Sequence, residues 1–365
     1  MAAGSIVLAA FLIIMIAVVY QQTAQQEKYL QTVSEQEEAD RIQKAEDEAA
    51  ALRELLAGYS VYEQLAEGYD VNILIVGDSI GAASGASDSD HRWTILLGEY
   101  IQKTYGVTVT LTNISMGGNT SFAGYVSTMT LDDGIDYDLA IICYGQNDDE
   151  TDFSLYYESI ITAIRDKYEG CSIISILESS QQGYTEKMLA IEELCEHYSI
   201  PVADTINATL EYYNFYTDDG IHPNDSGQAI YAETIEKIVD KNVTARTPLP
   251  DYNIAPLNEG VKVFANCDYI SADEFTMVDE TTYTVNVSAS GILGIDYSYL
   301  SGKNVTELYV DGELIVAPTV MFAYDYSQRH ILIVSNDCTA ESEIKIVFDK
   351  ASQAEGFYGI CFCYE

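Results

Sequence analysis

Basic residues are scarce in this 365-residue chain: 17 Lys and Arg stand against 58 Asp and Glu, a formal net charge of −41. A surface of that sign repels phosphate backbones and anionic lipid, which argues against nucleic acid as a partner and favours neutral or weakly charged substrates. Cysteine is also sparse, seven residues in all, with no CxxC pair or His/Cys cluster to suggest a structural zinc. Cys143 and Cys171 fall in apolar, strand-like runs, and Cys361 and Cys363 would project from one face of a single strand. Mostly free, buried thiols are expected. One disulfide among Cys267, Cys338, Cys361 and Cys363 stays open, so cysteine usage leaves the redox compartment undecided.

Charge is missing altogether from residues 2–20, and residues 6–20 are apolar throughout. At about 1.5 Å per residue such a run approaches the hydrocarbon thickness of a bilayer. No persuasive small-x-small cleavage site follows Val19, so a membrane anchor over residues 1–22 is expected in preference to a signal peptide. No Lys or Arg precedes the run, and the positive-inside rule therefore does not orient it. Proline and glycine are absent from residues 21–57, where Gln, Glu and Ala dominate. That composition predicts a helical stalk over residues 23–68. Ile42, Ala45, Ala49, Leu52 and Leu56 step by coiled-coil intervals, a stripe through which the stalk could self-associate.

From about residue 69 to 246 the pattern alternates. Strands are expected at residues 72–76 (NILIV), 107–113, 139–144, 172–177 and 201–203. Helices are expected across 91–103, 155–168, 186–198 and 226–239. Strands separated by helices of this length build right-handed βαβ units and a parallel sheet, whose sites form at the carboxyl ends of the strands.

Four polar, glycine-bearing clusters fall at those ends: Gly77-Asp78-Ser79-Ile80, residues 113–121 (NISMGGNTS), Gly145-Gln146-Asn147-Asp148 and Asp219-Gly220-Ile221-His222-Pro223-Asn224. A serine hydroxyl needs a base to become a nucleophile, and His222 is the natural one. Asp219, three residues earlier, can accept a hydrogen bond from the ring. An acyl-transfer intermediate needs donors for its oxyanion, for which the amides of Ser79 and Gly118 and the side chain of Asn147 are suited. Asp78 is expected to set the turn and Asp148 to back the site, with Gly117 the alternative to Gly118. His91, near Trp93, could line the site; His197 and His330 are expected to be structural.

These clusters resemble the conserved blocks of the SGNH hydrolases, or GDSL esterases, in order and spacing over about 170 residues. Ser79 in GDSI matches the nucleophile, Gly118 the oxyanion glycine, Asn147 in GQND the asparagine, and Asp219 and His222 in DGIHP the acid and base. Ile80 departs from the leucine of the family name. The resemblance implies a flavodoxin-like three-layer α/β/α fold, no metal or other cofactor, and ester hydrolysis through an acyl-enzyme.

Seven Asn-x-Ser/Thr sequons occur, at Asn113, Asn119, Asn207, Asn224, Asn242, Asn286 and Asn304. Three lie inside the catalytic blocks, so they read as composition rather than glycosylation, which leans toward a bacterial source.

Residues 247–250 (TPLP) break the chain, and beyond them the period changes to two: residues 261–265, 282–288, 308–310 with the turn Asp311-Gly312, 330–334 and 344–348. A small all-β sandwich over residues 251–365 is expected. It is either a carbohydrate-binding module, with Tyr297, Tyr299, Tyr324 and Tyr326 as candidate contacts, or a domain that packs to complete a lid or dimer. Together these features predict a membrane-tethered, extracytoplasmic serine esterase that removes small acyl groups, acetyl foremost, from a glycan. The competing readings are a lipid or thioester hydrolase, or an acyltransferase, near the membrane, and a surface adhesin or scaffold with a vestigial catalytic domain.

Overall fold

The computed structural model describes residues 2–56, 58–210, 214–251, 253–258, 264–299, 306–316 and 328–365. The first unit, ending at Ala57, is one helix, α1 (Ala2–Leu56), which runs unbroken through the expected anchor and most of the expected stalk. Most side chains of its apolar stretch lie outside the described residues. Among the described residues no helix is long and apolar enough to cross a membrane. Ile42 and Leu52 of the heptad stripe are exposed along α1. The end of the expected stalk behaves differently. Helix α2 (Val61–Glu67) opens with a capping box, Ser60 bonding Glu63 in both directions, and closes on the left-handed Gly68. Val61, Tyr62 and Leu65 are buried in the core of the second unit, Gly58–Glu365. These three apolar residues share one face of the short helix, which makes it part of that core.

After α2 that unit continues with β1 (Val71–Gly77), α3 (Trp93–Tyr105), β2 (Val109–Asn113), α4 (Ser121–Thr130), β3 (Leu139–Cys143), α5 (Phe153–Lys167), β4 (Ser172–Leu177), α6 (Glu186–Tyr198), β5 (Val202–Asp204), α7 (Thr205–Thr209) and α8 (Asp225–Ala245). The five strands are parallel in the order β2-β1-β3-β4-β5. Every residue of β3 and β4 is buried, as strands covered on both faces require. Along β1 the pleat splits the apolar set: Ile73 and Ile75 join one core with Trp93, Leu97 and Tyr231, while Leu74 and Val76 join the other with Phe122, Tyr157 and Ile160. This is the flavodoxin-like order, whose switch point lies between β1 and β3. The sequence pattern misses α4, a run of Ser, Gly and Thr with poor helix propensity. Packing fixes it instead, through buried Phe122, Tyr125 and Val126.

The remaining chain forms β6 (Asn266–Ser271), β7 (Thr276–Met277), β8 (Thr282–Asn286), β9 (Ala289–Tyr299), β10 (Thr306–Val310), β11 (Glu313–Val316), β12 (Gln328–Ala340), β13 (Glu343–Phe348) and β14 (Phe357–Tyr364). One sheet has the order β11-β10-β13-β8-β7 and the other β12-β9-β14-β6. Leu293, Ile295, Leu308, Ile346, Ile360 and Phe362 fill the space between them. The four-stranded sheet is buried on its other face too. There Cys361, Cys363 and Ile331 pack with Phe122, Tyr125 and Phe264, so α4 is sandwiched between the parallel sheet and the β region. Strands buried on both faces lose their alternation, which is why β9 and β14 escape a period-two reading. Of the expected strand at 261–265, residues 261–263 lie outside the described residues, as do Tyr324, Tyr326 and the side chain of Tyr299; Tyr297 is buried in the sandwich core.

One ion pair anchors this sheet. Asp296, fully buried, accepts from Arg329 Nε at 2.8 Å, from Arg329 Nη2 at 2.6 Å and from Tyr269 Oη at 2.8 Å. The guanidinium lies 4.4 Å from the Tyr358 ring centroid. Arg329→Ala would strand a buried carboxylate, and the expected loss is about 3–5 kcal/mol of stability by chemical denaturation. Asp296→Asn should soften that loss when combined with it.

Candidate active site

Ser79 sits just past the end of β1, where the chain leaves the sheet in a tight turn. Asp78 Oδ1 accepts from the Ile80 amide at 2.8 Å, and Ala82 N and Ser84 N donate back to Asp78 O and Ser79 O at 2.9 Å. Asp78 therefore holds the turn. The loop that follows is tied down by buried Gln228 of α8, whose Oε1 accepts from Trp93 N at 3.0 Å. Its Nε2 donates to Ser84 O at 3.1 Å and to Pro223 O at 3.0 Å. Trp93 Nε1 in turn donates to Ile80 O at 2.9 Å. Gly85, at φ +95°, lets this loop touch the His222 loop: a Cβ there would stand 2.5 Å from Pro223 O and 2.9 Å from His222 Cβ.

His222 Nε2 lies 2.8 Å from Ser79 Oγ, and its Nδ1 lies 2.6 Å from Asp219 Oδ2. Asp219 Oδ1 accepts from the amides of Ile221 (2.8 Å) and His222 (3.0 Å) and from Thr217 Oγ1 (2.7 Å). Burial alone would raise this carboxyl, but the His222 ring and the amide donors outweigh it and hold Asp219 well below the usual carboxylate range. It is ionised wherever the histidine works. Pro223 and the Asn224 cap, which accepts from Ser226 N at 3.1 Å and Gly227 N at 3.2 Å, lead directly into α8 and fix the loop's exit.

The second cluster lies beside the nucleophile. A Cβ on Gly117 would stand 3.5 Å from Ser79 Cβ, while Gly118 takes the left-handed φ of +72°. Asn147, at the end of β3, reaches the same place. Its Nδ2 donates to Asn119 O at 3.0 Å and to Asp78 Oδ2 at 3.2 Å, so both amide hydrogens are engaged at rest. Asn119 is buried and links the two regions of the unit. Its Nδ2 donates to Arg329 O at 2.8 Å and its Oδ1 accepts from Ile331 N at 2.9 Å. Gln328 Nε2 donates to Gly117 O. The start of β12 thus forms a wall of the site. His91 does not line it: the ring is exposed and bonded to Asp88 Oδ1 at 2.8 Å. His197 is at the surface, 2.8 Å from Ala255 O, and His330 is buried against the Gly118 backbone.

Three carboxyls are buried behind the turn. Asp148 accepts from Ser121 N at 2.8 Å and Ser121 Oγ at 2.5 Å, which fastens the Asn147 loop to α4. Asp78 and Glu178 lie close enough to share a hydrogen bond, and burial raises both. Two neighbouring buried carboxyls cannot both ionise cheaply, so the pair holds a proton. A carboxyl raised above its unfolded value stabilises the fold at low pH and loses that contribution as pH rises from 3.8 toward about 7. Glu178→Gln should flatten the fall in melting temperature across that interval; an unchanged profile would refute the sharing.

Residues 75–230 match the profile of the GDSL-like lipase/acylhydrolase family. This chain carries a GDSL-like hydrolase domain. No curated protein matches it in sequence. In structure the hydrolase resembles a two-domain esterase active on acetylated mannans, solved with mannopentaose, at a TM-score of 0.68 with 19% identity. That likeness covers 84% of this chain and 94% of the other. A second structure of a two-domain esterase active on acetylated mannans gives a TM-score of 0.65 at the same identity and coverage. The shared fold therefore takes in both the α/β region and the β region. The serine ester hydrolase has Ser79, Asp219 and His222 in one hydrogen-bonded chain. Sequence reasoning missed Asn119 and Gln328 as site neighbours. Asn119 lay inside a recognised cluster, but nothing local marks Gln328, some 200 residues away.

Proposed function

We propose that this chain is a membrane-tethered, extracytoplasmic esterase that removes small acyl groups, acetyl foremost, from a glycan. The observation that carries the chemistry is the 2.8 Å contact between Ser79 Oγ and His222 Nε2, with Asp219 at 2.6 Å behind it. In this reading His222 takes the serine proton as Oγ attacks the ester carbonyl, Asp219 steadies the imidazolium, and His222 returns the proton to the departing sugar hydroxyl. Water then repeats the sequence on the acyl-enzyme. The oxyanion is received by the amides of Ser79 and Gly118 and by Asn147, which must release one of its resting bonds to do so.

The glycan assignment rests on the shared two-domain fold, on a strongly acidic chain suited to neutral polymers, and on the Gln328 and Asn119 bonds that make the β region part of the site. Of the two readings of that region, those bonds favour one that completes the site over a tethered module. An acyl lipid or thioester substrate is the alternative for the same chemistry, and acyl transfer to a sugar hydroxyl uses the same intermediate. The tether rests on the uncharged run at residues 2–20, and the stalk stripe would support self-association there.

Release of acetate from acetylated mannan and acetylated xylan, set against p-nitrophenyl esters of rising chain length, is the test. Preference for acetyl on a sugar supports the reading, and preference for long acyl chains overturns it. Asn147→Ala should lower kcat by about 10²–10³ with little change in KM, the loss expected when one oxyanion donor is removed. Steady-state kinetics on p-nitrophenyl acetate measures it.

A further inference from the structure

Three cysteines far apart in sequence meet where the β region packs on α4. Cys267 of β6 lies directly opposite Cys363 of β14, with sulfurs 3.8 Å apart. Cys361, two residues before Cys363, projects from the same face, and the three sulfurs all lie within 4.8 Å of one another. Among the described residues this is the one group of three or more Cys, His, Asp or Glu side chains so disposed. On one side it borders an apolar core that holds Phe122, Tyr125 and Phe264. Gly294 of β9 leaves room for the Cys361 sulfur, since a Cβ there would stand 2.7 Å from it. A second observation lies in the same core. The Tyr125 hydroxyl is buried without a hydrogen-bond partner among the described residues, and Tyr125 shares its core with Cys361 and Cys363, against which Cys267 packs.

We propose that Cys267, Cys361 and Cys363 bind a thiophilic d¹⁰ metal ion, zinc(II) or copper(I), that clamps the β region to α4. Two thiolates held at about 2.3 Å by a tetrahedral ion stand about 3.8 Å apart, which is the spacing found for Cys267 and Cys363. Three soft sulfurs with no hard oxygen ligand select such ions over calcium or magnesium. On binding, each thiol releases its proton to solvent and each sulfur donates a lone pair. With zinc the site then carries one net negative charge, which a hydrogen bond from the Tyr125 hydroxyl to a thiolate would stabilise without changing it. A disulfide would use two of the sulfurs and leave the third unexplained, whereas one ion uses all three. Cys267 is half-buried on an edge strand, which gives the ion a way in.

The proposal is independent of the catalytic reading, and its test does not use activity. The full chain, isolated under reducing anaerobic conditions, should contain or take up one zinc or copper ion per chain by elemental analysis. Titration of metal-free protein with cobalt(II) should give a thiolate charge-transfer band that saturates at one equivalent and raises the melting temperature. Cys363→Ala should abolish band and stabilisation, and the milder Cys267→Ser, at the sheet edge, should weaken binding at least tenfold. Cys338→Ala, elsewhere in the β region, should leave both unchanged. A band that survives Cys267→Ser combined with Cys363→Ala, or no band in the wild type, overturns the proposal. So does a Cys267–Cys363 disulfide, by intact-mass and peptide analysis, in protein isolated separately without reductant.

Discussion

Ser79→Ala should lower turnover of p-nitrophenyl acetate by about 10⁴–10⁶ while the melting temperature stays near that of the wild type. The size follows from the role: without Oγ there is no acyl-enzyme, and what survives is the help that oxyanion donors and binding give to attack by water. The stability expectation follows from packing. The turn is held by Asp78 Oδ1 on the Ile80 amide and by the Trp93 and Gln228 bonds, none of which uses the Ser79 hydroxyl. Removing Oγ takes away one contact, to His222 Nε2. A fluorophosphonate probe should label the wild type and leave the Ala variant unmarked. Equal hydrolysis by the two proteins would move the nucleophile elsewhere. Absence of labelling in a folded wild type would instead favour a scaffold with a spent site.

The chemistry of this site could be read from the sequence because a parallel sheet gathers the ends of its strands. Ser79 and Asn147 follow β1 and β3, neighbours in the sheet, and His222 lies in the loop that leads into the last helix of the α/β region, so three local clusters become one place once the alternation of strands and helices is recognised. What escaped has a common cause. Helix α4 has weak intrinsic propensity and exists because Phe122 and Tyr125 are buried on it. β14 is apolar on successive residues because one face meets the sandwich and the other meets α4. Gln328 reaches Gly117 across a contact of more than 200 residues in sequence. Each depends on how the β region lies against the catalytic region, and no local period records that. The same packing brings Cys267 to Cys361 and Cys363, where the sequence predicted mostly free, buried thiols and left one disulfide among Cys267, Cys338, Cys361 and Cys363 open.

Asp219→Asn should be the more damaging of two substitutions at the acid, lowering kcat by about 10⁴, whereas Asp219→Ala should cost less in rate and more in loop stability. The reason lies in how the two oxygens are used. Oδ1 accepts three hydrogen bonds, from two amides and from Thr217, so that position demands an acceptor. An asparagine must therefore place its carbonyl there and its NH₂ where Oδ2 now faces His222 Nδ1. That NH₂ needs Nδ1 as acceptor, which puts the ring proton on Nε2, where it blocks removal of the Ser79 proton. An alanine imposes no tautomer but abandons all three loop donors. Kinetics of both variants, with the His222 ring-nitrogen protonation followed by nuclear magnetic resonance, decides the matter. If the Asn variant is no slower than the Ala variant, and Nδ1 keeps its proton in both, then Asp219 acts by holding the loop and not by choosing the tautomer.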